Sequence, residues 1–412
     1  MRDSHAPSIL AIRHLFMLRA LLLLLTCALG TAAPSAAQLP EDPGPHAVGF
    51  RSVSFSHPLA GNSTVTADIH YPALSAGTNA AADPAGGPYP LVLFSHGFFA
   101  PPSFYSGLTS HLASHGFVVL SVSTETGFIQ DLQDQAQDGQ ALLHWADERG
   151  ADPSHFLFGM AAPGAWGAMG HSNGCAAIGY SMPWEPRIEV AVLMEGNWFN
   201  DLPIASFEGA LISVGATEDG VTPMDANARN YFEQADGARR ALFPRVVGGG
   251  HNGSLNFPVG ANSLSHAEQN RLHRRLAVAL FQAELRGDED QHLFVLGSGA
   301  AGEPLEADAR CEQPLLWTSA SPSGELTLGL AGLPGDEALL AWTLAPAAQA
   351  TSLSGFGLSG TPQFQGLLPA SGLMEVTTAG PIGAAGARVT ARGLRAQAGD
   401  RALTRVARLR LP

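Results

Sequence analysis

Ala165-Trp-Gly-Ala-Met-Gly-His-Ser-Asn-Gly174 places a Gly-x-Ser-x-Gly motif between two patterned segments. The apolar residues before the motif predict a buried strand, and residues 174–182 predict a helix. A sharp turn from strand to helix requires small residues beside the serine. Such a turn holds the serine hydroxyl above the sheet in a strained backbone conformation. We interpret Ser172 as a nucleophile, the alternative being a glycine-rich turn with an incidental serine.

Strands and helices alternate on both sides of this motif. Alternating apolar and polar residues predict an edge strand at 48–55, with a neighbouring strand at 65–71. Apolar runs predict further strands at 90–95, 117–122, 190–194, 210–214 and 242–247. Helical spacing of apolar residues predicts helices at 103–116, 130–148 and 264–286. This alternation predicts an α/β fold with a doubly wound, mostly parallel sheet that is covered on both faces.

A serine nucleophile needs a general base and an acid that orients it. In a fold of this kind the chain order is serine, acid, histidine. Asp219 follows the strand at 210–214, and His251 follows the strand at 242–247 after three glycines. We predict that Asp219 orients His251. The alternatives are Glu195 or Glu218 as the acid, and an incidental loop histidine at His251.

An oxyanion hole needs two backbone N–H groups. Asn173 follows the nucleophile at the N-terminus of a helix, where the dipole favours negative charge. Phe98, in the loop after the strand at 90–95, is the second predicted donor, since Gly97 beside it lets the backbone approach closely. His171 is interpreted as a turn or pocket residue rather than the base, because adjacent side chains point apart.

Composition limits the partners of the chain. Its formal net charge is −14 at pH 7, which argues against nucleic acid or an anionic membrane as a partner held by charge. Every basic residue is arginine.

The N-terminus predicts export. A basic segment, an apolar run and small residues before Ala37 indicate a signal peptide at 1–37, and the apolar run is too short to span a bilayer. We expect a secreted or periplasmic protein with no integral membrane segment after cleavage. The alternatives are a buried N-terminal helix, or lipidation at Cys27. Cys175 and Cys311 remain in the mature chain, and a core role for Cys175 is favoured over a disulfide.

The pattern of apolar and polar residues in the sequence changes near residue 292. Before it, residues 38–292 have the alternating pattern of a catalytic domain. After it, short alternating runs separated by Gly, Pro and Ser predict a small all-β module at 300–412, of unassigned role.

Residues 48–290 resemble the α/β-hydrolase superfamily, close to a branch that includes bacterial cutinases, polyethylene-terephthalate hydrolases and dienelactone-hydrolase-like esterases. Platelet-activating-factor acetylhydrolases and chlorophyllases are similar. The matching segments lie at 92–99, 112–119, 169–174, 218–223 and 249–251. The resemblance implies Phe98 and Asn173 as oxyanion residues and Trp198 as an aromatic of the ester cleft. Asn173 stands where many polyesterases carry methionine, and Cys175 where glycine is usual.

Only fifteen residues, 195–209, join two predicted strands, which leaves little room for a lid. We therefore expect an open cleft, lined by aromatic side chains and His171; the aromatic residues are Phe98, Phe99, Tyr105, Trp198 and Phe199. Such a cleft suits bulky or polymeric esters more than a sequestered small substrate, and the expected partner is a small acyl ester or a polyester. The sequence predicts a serine ester hydrolase that forms an acyl-enzyme and requires no metal or cofactor. The alternatives are a lipase or acetylhydrolase acting on lipid esters, and a non-catalytic surface-binding protein.

Overall fold

The computed structural model describes residues 39–296, 300 and 302–311. Beyond them it describes a series of strands. Those further described ranges are 315–320, 325–332, 337–345, 362–367, 373–379, 388–397, 400–403 and 407–410. The predicted signal peptide at 1–37 lies outside the described residues.

A ten-stranded sheet forms the centre of the protein. Its strands, in chain order, are β1 (Ala47–Phe55), β2 (Val65–Ala73), β3 (Gly77–Thr78), β4 (Leu91–Ser95), β5 (Val118–Val122), β6 (Trp166–His171), β7 (Ile188–Met194), β8 (Ala210–Ala216), β9 (Arg240–Val246) and β10 (Leu305–Cys311). Their spatial order is β10-β9-β8-β7-β6-β4-β5-β2-β1-β3. Strands β4 to β9 are parallel, whereas β2 and β10 pair antiparallel at either side of them.

In the part of the chain that the structure describes, five α-helices cover the two faces of the sheet. They are α1 (Ser106–Ser114), α2 (Leu132–Gly150), α3 (Asn173–Ser181), α4 (Ala228–Gln234) and α5 (His266–Arg286). The helices α1 and α5 pack in one apolar cluster, and α2, α3 and α4 contribute to the other. Helix α2 begins where the Asp131 carboxylate accepts two backbone N–H groups, and α5 ends at Gly287 in the left-handed conformation.

The predicted α/β class is confirmed. The central strands are buried on both faces, as their continuous apolar runs predict for a sheet sandwiched between helix layers. Because β4 to β9 run parallel, their carboxyl ends meet at one edge of the sheet, and loops from several strands converge there.

Beyond β10 the described strands are β11 (Leu315–Ala320), β12 (Glu325–Ala331), β13 (Glu337–Ala345), β14 (Pro362–Leu367), β15 (Leu373–Ala379), β16 (Arg388–Gln397), β17 (Asp400–Leu403) and β18 (Ala407–Arg410). They pair antiparallel in a sheet ordered β11-β12-β15 and another ordered β14-β13-β16-β17, with β18 on β16. Strand β10, although it lies within the segment 300–412, belongs to the central sheet through β9.

Candidate active site

Ser172 occupies the turn between β6 and α3. Its backbone has φ +55° and ψ −124°, a conformation that L-residues rarely adopt and that costs on the order of 1–3 kcal/mol. A Cβ on Gly174 would lie 2.1 Å from the Ser95 carbonyl oxygen, and one on Gly170 would lie 2.7 Å from the Gly174 carbonyl oxygen. Both glycines are therefore required for the turn. The Ser172 N–H donates to the Met194 carbonyl at 3.1 Å, which holds the turn against β7.

The serine, the histidine and the aspartate predicted to act together lie within hydrogen-bond distance of one another. His251 Nε2 is 3.0 Å from Ser172 Oγ, and His251 Nδ1 is 2.9 Å from Asp219 Oδ2. All three side chains are largely buried. The arrangement can pass a proton from a hydroxyl to an imidazole while a carboxylate holds the other ring nitrogen.

The Asp219 carboxylate is kept ionised by its hydrogen bonds. Burial raises the pKa of Asp219, but the hydrogen bond and charge of His251 and the donors of Thr222 outweigh it, so the pKa lies below its usual value. Oδ1 accepts the backbone N–H groups of Val221 and Thr222, each at 2.8 Å. An anionic Asp219 thus faces the imidazole.

Thr222 contacts two of the predicted triad residues, and sequence reasoning missed it. Its Oγ1 lies 2.9 Å from Asp219 Oδ2, 3.0 Å from His251 Nδ1 and 3.1 Å from the Glu195 carbonyl oxygen. It therefore holds the contact between carboxylate and imidazole. The spacing Asp-x-x-Thr, in which a side chain three residues on returns to the aspartate, is the signal that could have identified it.

The two alternative acids point elsewhere. Glu195 Oε1 lies 2.9 Å from His273 Nε2, with both side chains fully buried. Burial raises the pKa of Glu195, whereas the Glu195 carboxylate outweighs burial and raises the pKa of His273. Glu218 accepts the Ser263 N–H at 2.7 Å, and hydrogen bonds from Ser263 lower its pKa. No described hydrogen bond joins either glutamate to His251.

His171 supports the site from behind the serine. Burial lowers its pKa to about 3, so the ring is neutral and carries one N–H. Nε2 lies 2.8 Å from the His251 carbonyl oxygen, which can only accept, so Nε2 carries the proton. Nδ1 must then accept the Tyr105 hydroxyl at 2.8 Å. Tyr105 was expected to line the cleft, but it is fully buried in the core, and its hydroxyl reaches the site through this bond and by accepting the Gly97 N–H at 3.2 Å.

The two predicted oxyanion donors lie on segments next to Ser172, one directly after it and the other in the loop after β4. Asn173 is the first residue of α3, where the leading N–H groups have no acceptor within the helix. Phe98 lies in the loop after β4, and a Cβ on Gly97 beside it would be 3.1 Å from the Ser172 Cβ. Within the described part of the chain, neither the Phe98 N–H nor the Asn173 N–H donates to a protein atom. Both are available to an oxygen at the site.

Hydrogen bonds join a series of side-chain amides beside the serine turn. Asn173 Nδ2 donates to Gln130 Oε1 at 2.9 Å, and Asn197 Nδ2 donates to Asn173 Oδ1 at 2.8 Å. Gln130 Nε2 in turn donates to Gln135 Oε1 at 2.8 Å. The sequence carries no local signal for this series of hydrogen bonds, because the residues that form it come from three separate segments.

The aromatic residues expected in the cleft differ in exposure. Phe98 and Phe99 are 48% and 51% exposed. Trp198 is partly buried, with its ring edge-on to Tyr231 at 5.1 Å and its indole N–H donating to Asn200 at 3.1 Å. Cys175 is a buried thiol whose Sγ lies 3.4 Å from the Met194 carbonyl oxygen.

The sheet order and the serine turn define an α/β-hydrolase. The family model described as PETase, PET hydrolase-like, matches residues 28–265, and the chain belongs to that family. Among curated proteins, it is 30% identical to Chlorophyllase-1 of Arabidopsis thaliana over 114 residues, which are 26% of this chain and 35% of that protein. It is also 30% identical to Chlorophyllase-2 of the same plant over 90 residues, 21% of this chain and 27% of that protein. The chain thus spans about a third of the length of these relatives.

Among the described residues, no helix is long and apolar enough to span a membrane. The same residues contain no group of three or more His, Cys, Asp or Glu side chains placed to hold a metal ion.

Proposed function

We propose that the chain is a serine ester hydrolase in which Ser172, His251 and Asp219 act as a catalytic triad. The observation that carries the proposal is the pair of contacts at 3.0 Å and 2.9 Å that link the serine hydroxyl, the imidazole and the carboxylate in series. Membership of the PET hydrolase-like family and similarity to chlorophyllases support ester bonds as the target.

In this mechanism Ser172 Oγ attacks the ester carbonyl while its proton passes to His251 Nε2. The Asp219 carboxylate stabilises the imidazolium that results. The former carbonyl oxygen, now negatively charged, accepts hydrogen bonds from the backbone N–H groups of Phe98 and Asn173. Each such donor is worth about 2.7–4 kcal/mol in the transition state.

Collapse of the tetrahedral intermediate expels the alcohol, which takes the proton from His251 and leaves an acyl-enzyme. A water molecule then gives its proton to His251, attacks the acyl carbonyl and releases the acid. The complete cycle converts one ester and one water molecule into one alcohol and one carboxylic acid.

The substrate proposed is an ester with a sizeable apolar part. The half-exposed rings of Phe98 and Phe99 and the partly buried Trp198 offer apolar surface beside the serine. An aliphatic or aromatic acyl or alcohol group would be drawn from water onto these rings. The amides of Asn197 and Gln130 add hydrogen-bonding groups near the same place, which suits small acyl esters and polyesters alike.

The test is hydrolysis of p-nitrophenyl esters of increasing acyl length and of a polyester film, with wild type and Ser172→Ala in parallel. We expect turnover of the short esters by wild type and a loss of about 10⁶-fold in the variant. The variant should retain the circular dichroism spectrum of the wild type. Esterase activity that survives in Ser172→Ala would remove the serine from the mechanism, and a wild type inactive on every ester would favour a non-catalytic binding role.

We further propose that the protein is exported through a signal peptide at 1–37, and that residues 300–412 contribute β10 to the catalytic unit through its pairing with β9. The remainder of that segment is proposed as an all-β module.

A further inference from the structure

Four large apolar side chains beside the active site face solvent together. Phe128 is 76% exposed and Ile129 is 93% exposed, next to the half-exposed Phe98 and Phe99. The rings of Phe99 and Phe128 stack with centroids 4.3 Å apart, and the rings of Phe98 and Phe128 lie 6.3 Å apart. We call Phe98, Phe99, Phe128 and Ile129 the apolar rim. Contiguous exposed apolar surface of this kind marks interaction sites in soluble proteins.

The loop that carries Phe128 and Ile129 is tied at its base. The Asp131 N–H donates to Glu125 Oε2 at 2.8 Å, and Asn62 Nδ2 donates to Glu125 Oε1 at 3.0 Å. Glu125 itself has φ +59°, so the surrounding contacts hold it in an unfavourable conformation. The two apolar residues therefore stand at the tip of a loop closed by hydrogen bonds, rather than on a loose segment.

The same loop is joined to the catalytic turn. Gln130, the residue after Ile129, accepts the side-chain N–H of Asn173 at 2.9 Å. The apolar rim is thus continuous with the ester cleft, since Phe98 belongs to both.

Exposed apolar side chains recur on loops at this edge of the sheet. They follow the carboxyl ends of four different parallel strands: Phe98 and Phe99 after β4, Phe128 and Ile129 after β5, Val221 after β8 and Phe257 after β9. Several loops at the edge that carries Ser172 therefore expose apolar side chains.

The charges near the rim are negative. Glu125, Asp131 and Asp134 lie on the loop and on the first turn of α2, and the whole chain has a formal net charge of −14. An anionic surface would be repelled, whereas an uncharged apolar surface would be attracted by the rim alone.

We propose that the apolar rim adsorbs the enzyme to the surface of an emulsified, uncharged ester such as a triacylglycerol droplet, and so delivers single ester groups to Ser172. This inference rests on the proposed ester hydrolase function. It assigns to Phe128 and Ile129 a role in capturing aggregated substrate, separate from the chemistry at the serine.

The test compares one dissolved and one emulsified substrate. Wild type is assayed on p-nitrophenyl acetate in solution and on tributyrin below and above its solubility limit. The double variant Phe128→Ser with Ile129→Ser should keep its rate on p-nitrophenyl acetate. On the emulsion its rate should fall about tenfold or more, because the variant lacks the two exposed apolar side chains that would leave water at the droplet surface. The matched control is Phe158→Ser, also an exposed phenylalanine, eight residues beyond the C-terminal end of helix α2 and outside the apolar rim. It should leave both rates unchanged.

Equal losses on both substrates would overturn the inference, since the loop would then support the cleft rather than capture droplets. So would an unchanged emulsion rate. Adsorption is measured separately with Ser172→Ala, by flotation of tributyrin droplets, with and without the two rim substitutions. The flotation measurement does not require turnover. If the wild type is inactive on every ester, the proposed hydrolase function is wrong, but flotation still tests whether the apolar rim binds droplets. Stronger binding to droplets coated with anionic lipid than to uncoated ones would also contradict the proposal.

Discussion

The Nε2 atom of His171 lies 2.8 Å from the carbonyl oxygen of His251, so the residue before the serine holds the loop that carries the imidazole. The other ring nitrogen accepts the Tyr105 hydroxyl at 2.8 Å, and that hydroxyl accepts the Gly97 N–H at 3.2 Å. One buried chain of hydrogen bonds therefore connects the oxyanion loop to the base loop through the neutral ring of His171.

Breaking this chain should slow catalysis without unfolding the protein. Tyr105→Phe removes two neutral hydrogen bonds, each worth about 1 kcal/mol, and leaves His171 Nδ1 without its donor and the Gly97 N–H without its acceptor. We expect kcat on p-nitrophenyl acetate to fall roughly fivefold while KM changes little. Tyr89→Phe is the control, because the Tyr89 hydroxyl donates to the Asp83 carbonyl at 3.0 Å in another part of the fold. An equal loss of kcat in both variants would contradict the role assigned to Tyr105.

The identity of the acid can be settled by charge removal. Asp219→Asn should lower kcat by about 10³–10⁴, because an amide can no longer hold the imidazole in the required tautomer or stabilise its positive charge. Glu218→Gln should stay within about twofold of wild type, since Glu218 binds Ser263 instead. Steady-state hydrolysis of p-nitrophenyl acetate measures both. A large effect at Glu218 with little effect at Asp219 would reverse the assignment.

Folding stability should decline on acidification between about pH 6.5 and pH 4. Burial lowers the pKa of His70 and of His111 to about 4, whereas the unfolded chain has ordinary histidine values near 6.5. Above this window neither state binds the protons. Within it the unfolded state takes up protons that the folded state excludes, so stability is lost as pH falls. Each histidine contributes up to about 1.4 kcal/mol per pH unit in the middle of the window.

Urea unfolding of wild type and of His111→Gln across this range measures the effect. The variant should have a flatter pH profile, and the difference between the two profiles isolates His111 from every other titrating group. Parallel profiles would show that His111 is not held neutral by the fold.

The catalytic turn should not tolerate a methyl group at Gly174. A Cβ there would lie 2.1 Å from the backbone oxygen of Ser95, and backbone cannot move aside as a side-chain end can. Gly174→Ala should therefore reduce the free energy of unfolding by about 3 kcal/mol or more. Gly220→Ala is the matched control, because nothing lies within 4 Å of a Cβ at that position. Thermal unfolding measures the melting temperatures of the two variants. Equal melting temperatures would contradict the prediction, because they would show that the turn can accommodate a methyl group at Gly174.

Export should remove the first 37 residues. Expression of the full chain in a bacterial host should yield a mature protein that begins at Gln38, as read by N-terminal sequencing of the periplasmic or culture fraction. A Leu22→Arg and Leu23→Arg double variant breaks the apolar run and should keep the protein unprocessed in the cytoplasm. Full-length protein in the exported fraction would contradict the predicted cleavage.

Local sequence patterns were sufficient to predict the fold and to select Ser172, Asp219 and His251 as candidate site residues. The continuous apolar runs of β4 and β6 indicate strands buried on both faces, because only a sheet between helix layers removes every side chain of such a run from water. The Gly-x-Ser-x-Gly turn likewise depends on residues adjacent in sequence, since Gly170 and Gly174 leave the space that the turn needs.

Contacts across the sheet could not be read in the same way. Tyr105 was expected in the cleft but is buried against His171. Glu195 contacts His273, which lies on a helix far along the chain. The antiparallel pairing of β10 with β9 and the stacking of Phe128 on Phe99 also join distant segments. Residue order and composition govern periodicity and turns, because those depend on neighbours within a few positions. Which side chains meet at the carboxyl edge depends on strand order and on how the helices pack, and these are set only when the whole core forms.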